Sequence, residues 1–138
     1  MTPAEARERF ATAAVARLAT VGHDGTPHLV PVTFAVDGER ILMAIDAKPK
    51  RGRRLRRLDN IAANPRVALL VDHYDDDWAR LWWVRADGDA RIIGPSEEQD
   101  RAMDLLRERY AQYSATAPIG PVIVVDVRRW SGWSSAEG

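Results

Sequence analysis

Seven cations fall within ten residues, Lys48, Lys50, Arg51, Arg53, Arg54, Arg56 and Arg57, with no acid among them. They occupy a strand-to-helix turn and the first turns of a helix predicted by the spacing of Leu55, Leu58, Ile61 and Ala62. Cations at a helix start oppose the macrodipole, and like charges four residues apart repel by a few tenths of a kcal/mol per pair, as an order of magnitude. A sequence that accepts both costs has the makings of an anion site, where free backbone N–H groups act together with the side chains. The competing reading is a solvated face balanced by Asp75, Asp76, Asp77, Glu97 and Glu98.

A second cluster is aromatic. Of five tryptophans, Trp78, Trp82 and Trp83 sit together. In an extended segment Trp82 and Trp83 point opposite ways, so at most one is inside and the other covers an interface or a ring-shaped ligand. His23, His28 and His73 have no metal-ligand spacing and no partnered nucleophile. There is no GxGxxG, P-loop or catalytically placed carboxylate pair. With no cysteine, disulfides, thiol nucleophiles and thiolate metal sites are excluded. If the chain is an enzyme, its hard chemistry belongs to a cofactor. No catalytic residue and no metal ligand is assigned.

The elements that must position these residues follow from patterning. Thr2 and Glu5 with Pro3 between them predict a capped helix ending near Ala14. A strand from Val15 to Val21 turns at Asp24-Gly25 into a run in which His28, Val30, Val32, Phe34 and Val36 share one face. Pro31 places an edge or a bulge in that run. Asp37-Gly38 makes a second hairpin into residues 40–45, and Asn64-Pro65 stops the basic helix. Val67 to Val71 is a short strand. Residues 80–93 are extended, with Gly88 marking either a hairpin turn or a bulge. Ser96 and Gln99 open a helix with Ala102, Met103, Leu106, Tyr110 and Tyr113 on one face. A final strand runs from Val122 to Arg129 before a polar tail. The expected fold is α+β, mainly β: a six-stranded antiparallel barrel with flanking helices, one domain over residues 1–138.

Formal net charge is zero, so basic surface is local, which argues against nucleic acid as partner. The start at Thr2-Pro3-Ala4-Glu5 lacks the basic and apolar runs of a signal peptide, and no stretch approaches the roughly 20 apolar residues of a membrane span. The cytoplasm is the expected location and no membrane partner is expected.

Leu18-Ala19-Thr20, Asp24-Gly25-Thr26-Pro27, Lys48-Pro49-Lys50, Asn60-Ile61-Ala62-Ala63-Asn64-Pro65-Arg66-Val67 and Asp72-His73-Tyr74 through Trp78, in this order and spacing, carry a resemblance over nearly the whole chain. It resembles the pyridoxamine 5′-phosphate oxidase-like FMN-binding split β-barrels, and within them the actinobacterial branch that uses the deazaflavin coenzyme F420. The resemblance implies a homodimer with cofactor sites at the interface and cofactor phosphate on Lys48, Lys50, Arg54 and Arg57. The family's phosphate-binding cation before the Asn-(Leu/Ile)-x-x-Asn-Pro piece falls on Arg57. Pro31, Val32 and Thr33 would lie against the ring system, partly through backbone groups, and Trp78 completes the cofactor-binding set. The chain ends in Ser134-Ser135-Ala136-Glu137-Gly138, without the basic substrate-binding segment of true pyridoxamine phosphate oxidases, so vitamin B6 oxidation is not expected. The expected activity is hydride transfer between bound F420 and a small organic substrate. The alternatives are an FMN reductase or oxidase on the same fold, or a cofactor-binding protein without catalysis.

Overall fold

The computed structural model describes residues 1–46, 55–113 and 119–137. Helix α1 spans Pro3–Thr12 and opens with the predicted capping box. Glu5 N–H donates to Thr2 Oγ1 at 3.1 Å, and Thr2 N–H to Glu5 Oε2 at 3.3 Å. Ala6 and Phe10 form its buried side. Strands β1 (Ala16–Val21) and β2 (Pro27–Val32) pair around Asp24-Gly25, where Gly25 takes φ 82°. β3 (Ala35–Asp37) and β4 (Arg40–Asp46) pair around Gly38 at φ 62°. Then follow α2 (Arg56–Ala63), β5 (Arg66–His73), β6 (Trp82–Ile93), α3 (Glu97–Arg109) and β7 (Ile119–Ser134).

The fold is α+β and mainly β, but the strands among the described residues number seven, not six. They form one antiparallel sheet in the order β2-β1-β5-β6-β7-β4-β3. The extra strand arises because the run from His28 to Val36 breaks at Thr33-Phe34. Its halves lie at opposite edges of the sheet, so Pro31 stands on an edge strand, where its missing N–H costs no ladder bond. Only Thr33 and Phe34 join the two edges, and three peptide units reach at most about 11 Å. The sheet therefore curls until its edges nearly meet at that corner. Phe10, Phe34 and Trp130 fill the inside of the curl, with the Phe10 ring 4.8 Å from Phe34 and 5.4 Å from Trp130.

Gly88 marks an irregularity within one long strand pair, not a hairpin. Asp87 faces Arg129 and Gly88 faces Val127, leaving Arg128 unopposed. A Cβ at Gly88 would lie 2.4 Å from the Asp126 carbonyl oxygen, so the close approach needs glycine. The bulge also changes parity: Val127 and Trp130 both reach the core while Arg128 and Arg129 are exposed between them. β7 continues to Ser134, so Trp133 belongs to the sheet and not to a polar tail. On the other face of β4 and β7, Ala102, Met103 and Leu106 of α3 pack on Leu42, Val122 and Val124. The second predicted capping box is half formed. Gln99 N–H donates to Ser96 Oγ, but the Gln99 side-chain amide donates to the Gly120 carbonyl, tying α3 to β7.

Candidate functional site

The link that joins the sheet edges is held from the C-terminal end of α3, about 75 to 80 residues later in the chain. Arg109 donates from Nη1 to the Phe34 carbonyl at 2.7 Å and from Nη2 to the Ala13 carbonyl. Its guanidinium lies 4.8 Å from the Phe34 ring centroid and 5.4 Å from that of Tyr110. Phe34 N–H donates to the Tyr110 hydroxyl, which sits 2.9 Å from the Ala14 carbonyl and 3.0 Å from that of Phe34. Beyond it, the Tyr113 hydroxyl is 2.8 Å from Thr33 Oγ1. α3 thus clamps the end of α1 and the corner Thr33-Phe34 as one unit.

Arg57 is carried by α2. Leu58 and Ile61 must enter the core, which sets the rotation of this short helix. Arg57 shares a helix face with Asn60 and Ile61, three and four positions on. Asn60 is buried and donates from Nδ2 to Thr20 Oγ1 at 3.0 Å, anchoring α2 on β1. Arg57 is consequently half-buried and not fully exposed. Its Nε is sealed from solvent without an acceptor, and no carboxylate pairs with it among the described residues. Burial pushes its guanidinium below the ordinary arginine range, and the Tyr113 phenol opposes that shift. Across the β1–β2 ladder from Thr20, His28 also keeps a buried Nδ1 without a partner.

The sequence-predicted residues are brought together unequally. Thr33 is hydrogen-bonded to Tyr113, and Arg57 is carried by α2. Val32 is buried and Pro31 exposed, because neighbours on a strand alternate faces; both cannot press side chains on one ring. What β2 offers a ring is its open edge, where half the backbone groups have no ladder partner. Trp78 stands on a 3-10 turn, Trp78–Arg80, 69% exposed, with Nε1 3.5 Å from the hydroxyl of the equally exposed Tyr74. No hydrogen bond or ring contact joins it to Thr33 or Arg57 among the described residues. Lys48, Lys50 and Arg54 lie outside the described residues. Trp82 is half-buried against the core, with His73 stacked on it at 5.9 Å, while Trp83 faces outward beneath Arg85.

Tyr113, Tyr110 and Arg109 are the residues that sequence reasoning missed. The tyrosines read as two more members of the α3 apolar face, and nothing in local spacing separates them from core. No cluster of three potential metal ligands occurs among the described residues, and no helix among them is long and apolar enough to cross a membrane. A shallow cleft of about 320 Å³ lies elsewhere, floored by Ala19, Ala68 and Gly88 and rimmed by Arg66 and Arg128. None of the predicted site residues lines it, and both its arginines lean on Asp89, at 4.0 and 2.6 Å.

The chain is similar in sequence and in fold to known proteins. The family model described as pyridoxamine 5′-phosphate oxidase matches residues 2–134. Over 91 residues the chain is 48% identical to the 5a,11a-dehydrotetracycline/5a,11a-dehydrooxytetracycline reductase of Streptomyces rimosus. That match covers 64% of this chain and 63% of the relative, so the chain spans less than two thirds of the relative's length. Among solved structures, a conserved hypothetical protein of Mycobacterium tuberculosis superposes with TM-score 0.74 at 26% identity, covering 98% of this chain and 86% of that one. A FAD-binding protein of Mesorhizobium loti gives TM-score 0.71 at 21% identity, covering 96% and 92%.

Proposed function

The chain belongs to the pyridoxamine 5′-phosphate oxidase family, and on that footing we propose that it is a coenzyme F420-dependent oxidoreductase. The observation that carries the reading is Arg57: a half-buried guanidinium with a sealed, unpartnered Nε and no carboxylate among the described residues. A half-buried cation without a counter-charge is costly, and a phosphate would supply that counter-charge. The residues present therefore fit a phosphorylated cofactor. The reductase name of the Streptomyces relative supports redox chemistry over carriage or sensing.

Arg57, with Lys48, Lys50 and Arg54 from the basic run, holds the anionic arm. The open edge of β2 at Pro31, Val32 and Thr33 orients the ring through backbone groups. When bound, F420 supplies a hydride to an electron-poor small molecule. The choice of F420 over FMN rests on charge: two or three cations and a helix start satisfy one phosphate, whereas seven cations between residues 48 and 57 suit a phosphodiester followed by carboxylates. The curled sheet is read as a split barrel that works as a homodimer. Leu29, Leu70 and Trp133, at 67%, 37% and 42% exposure, are apolar surface for a second copy to cover, and Trp78 would reach across to the partner's site.

The test is to measure dissociation constants for F420 and FMN by tryptophan quenching at low and physiological salt. F420 is expected to bind more tightly, with affinity falling as salt rises. FMN binding as tightly as F420, or protein purifying yellow with stoichiometric FMN, would overturn the cofactor choice. Sedimentation showing only monomer at micromolar concentration would remove the interface site.

A further inference from the structure

We propose that Tyr110 is a positioning residue for the cofactor ring: its hydroxyl extends the β1–β2 ladder by one rung, and that rung turns the backbone N–H and C=O of Thr33 to the open edge, where they pair with the ring. The proposal rests on the reading that the β2 edge orients the ring, and it names which groups of that edge do so and what holds them.

Register is the first observation. β1 and β2 pair antiparallel from Val21–Pro27 to Ala16–Val32, where the ladder ends. Continued in the same register, the next rung would set Ala14 opposite Phe34. No hydrogen bond joins these two directly among the described residues. Instead the Tyr110 hydroxyl stands between them, accepting from Phe34 N–H at 3.2 Å and lying 2.9 Å from the Ala14 carbonyl. A phenol has one proton and two lone pairs, so it can accept from one strand and donate to the other. The Phe34 carbonyl is 3.0 Å from the same hydroxyl but already receives Arg109 Nη1 at 2.7 Å, which leaves the phenolic proton to Ala14. The residue that caps the end of α3 thus stands in for a direct strand-to-strand bond.

Alternation along the run supplies the second. In an antiparallel pair, successive residues turn their backbone groups to opposite sides. Phe34 N–H points toward Ala14 and so toward the β1 side. Thr33, one residue earlier, turns its N–H and C=O the other way, onto the open edge. Val32 shares the direction of Phe34, and Pro31 shares that of Thr33 but has no N–H. Thr33 N–H is therefore the one backbone donor that residues 31–33 present to the edge, and no hydrogen bond takes it among the described residues. Its side chain is held separately, 2.8 Å from the Tyr113 hydroxyl. Flavin and deazaflavin rings share a pyrimidinedione, an N–H flanked by two carbonyls. Such an edge meets the N–H and C=O of one extended residue as a neighbouring strand would.

The experiment uses riboflavin and deazariboflavin, which carry the ring without the phosphate, beside FMN and F420. Dissociation constants are measured by fluorescence for the wild type, Tyr110→Phe and Arg57→Met, with near-UV circular dichroism confirming each fold. The Thr33 amide is followed by proton–nitrogen NMR. Tyr110→Phe deletes one oxygen and keeps the aromatic ring. It is expected to weaken all of these ligands by the same factor, roughly five- to tenfold, the net worth of one neutral hydrogen bond. Riboflavin and deazariboflavin should shift the Thr33 amide downfield in the wild type and much less in Tyr110→Phe, whereas Arg57→Met should weaken FMN and F420 alone. A folded Tyr110→Phe that binds riboflavin and deazariboflavin as tightly as wild type overturns the proposal and leaves the cofactor reading in place. So does a Thr33 amide that bound ring does not move in the wild type, or moves equally in Tyr110→Phe. A wild type that binds none of these ligands overturns both.

Discussion

Arg91 and Arg57 are both partly buried arginines, one on β6 and the other on α2, and they are treated in opposite ways. Arg91 on β6 donates to Glu98 at 2.6 and 2.7 Å and to Asp126 at 2.8 Å, and Arg40 reaches Asp126 from β4 at 3.1 Å. Its guanidinium is held well above the ordinary arginine range by those carboxylates. The group ties the first turn of α3 to two strands. Arg57 is pushed the other way by burial and has no carboxylate among the described residues. An arginine that serves the fold is enclosed by its own counter-charges. Under the proposed function, Arg57 is left short of a counter-charge that a ligand would supply.

The contrast can be broken most directly at Arg57. Arg57→Glu should cut affinity for phosphorylated cofactor by about a hundredfold or more, since it removes a charge-assisted contact and adds repulsion; titration calorimetry reads this. Undiminished binding would place the phosphate elsewhere. Next in size is Arg91→Met, which leaves Glu98 and Asp126 without their shared cation and should destabilise the fold by about 1 kcal/mol, because the side chains are more than a third exposed. The midpoint of urea unfolding reports it, and cofactor affinity in the folded variant should stay within a few-fold of wild type. Arg57→Met should shift the same midpoint by no more than about 0.5 kcal/mol, in either direction, because no described ion pair is lost. A large destabilisation would mean that Arg57 also serves the fold.

The smallest effect is in acid. The carboxyls of Glu98 and Asp126 are held below their ordinary 4.5 and 3.8, first by hydrogen bonds from Arg91. A carboxyl whose folded value is depressed adds stability above its unfolded value and loses it as pH falls through the folded one. Wild-type stability should therefore decline below about pH 4.5, and the decline should be shallower in Arg91→Met. Equal acid limbs would show that the network is not what titrates.

Local chemistry made much of the molecule legible. Thr2, Pro3 and Glu5 start α1 because a capping box closes within four residues. Gly25 and Gly38 turn the hairpins because only positive φ fits there. The seven cations from Lys48 to Arg57 raised the expectation of an anion ligand at Arg57. In each case the interacting groups are neighbours in the chain, so side-chain type and backbone geometry decide the outcome. Two matters were settled only by the tertiary structure. The break at Thr33-Phe34 has no glycine or proline to announce it, since the alternation of His28 through Val36 runs straight across; the sheet's curl puts its two halves on opposite edges. The pairing of Thr33 with Tyr113 joins residues 80 positions apart. Tyr113 has the spacing of a core residue in the predicted helix, but α3 ends at Arg109, and the turn after it brings Tyr113 to Thr33 while α3 packs over β3, β4 and β7. Spacing along a helix says which residues share a face, but what that face meets depends on where the sheet bends.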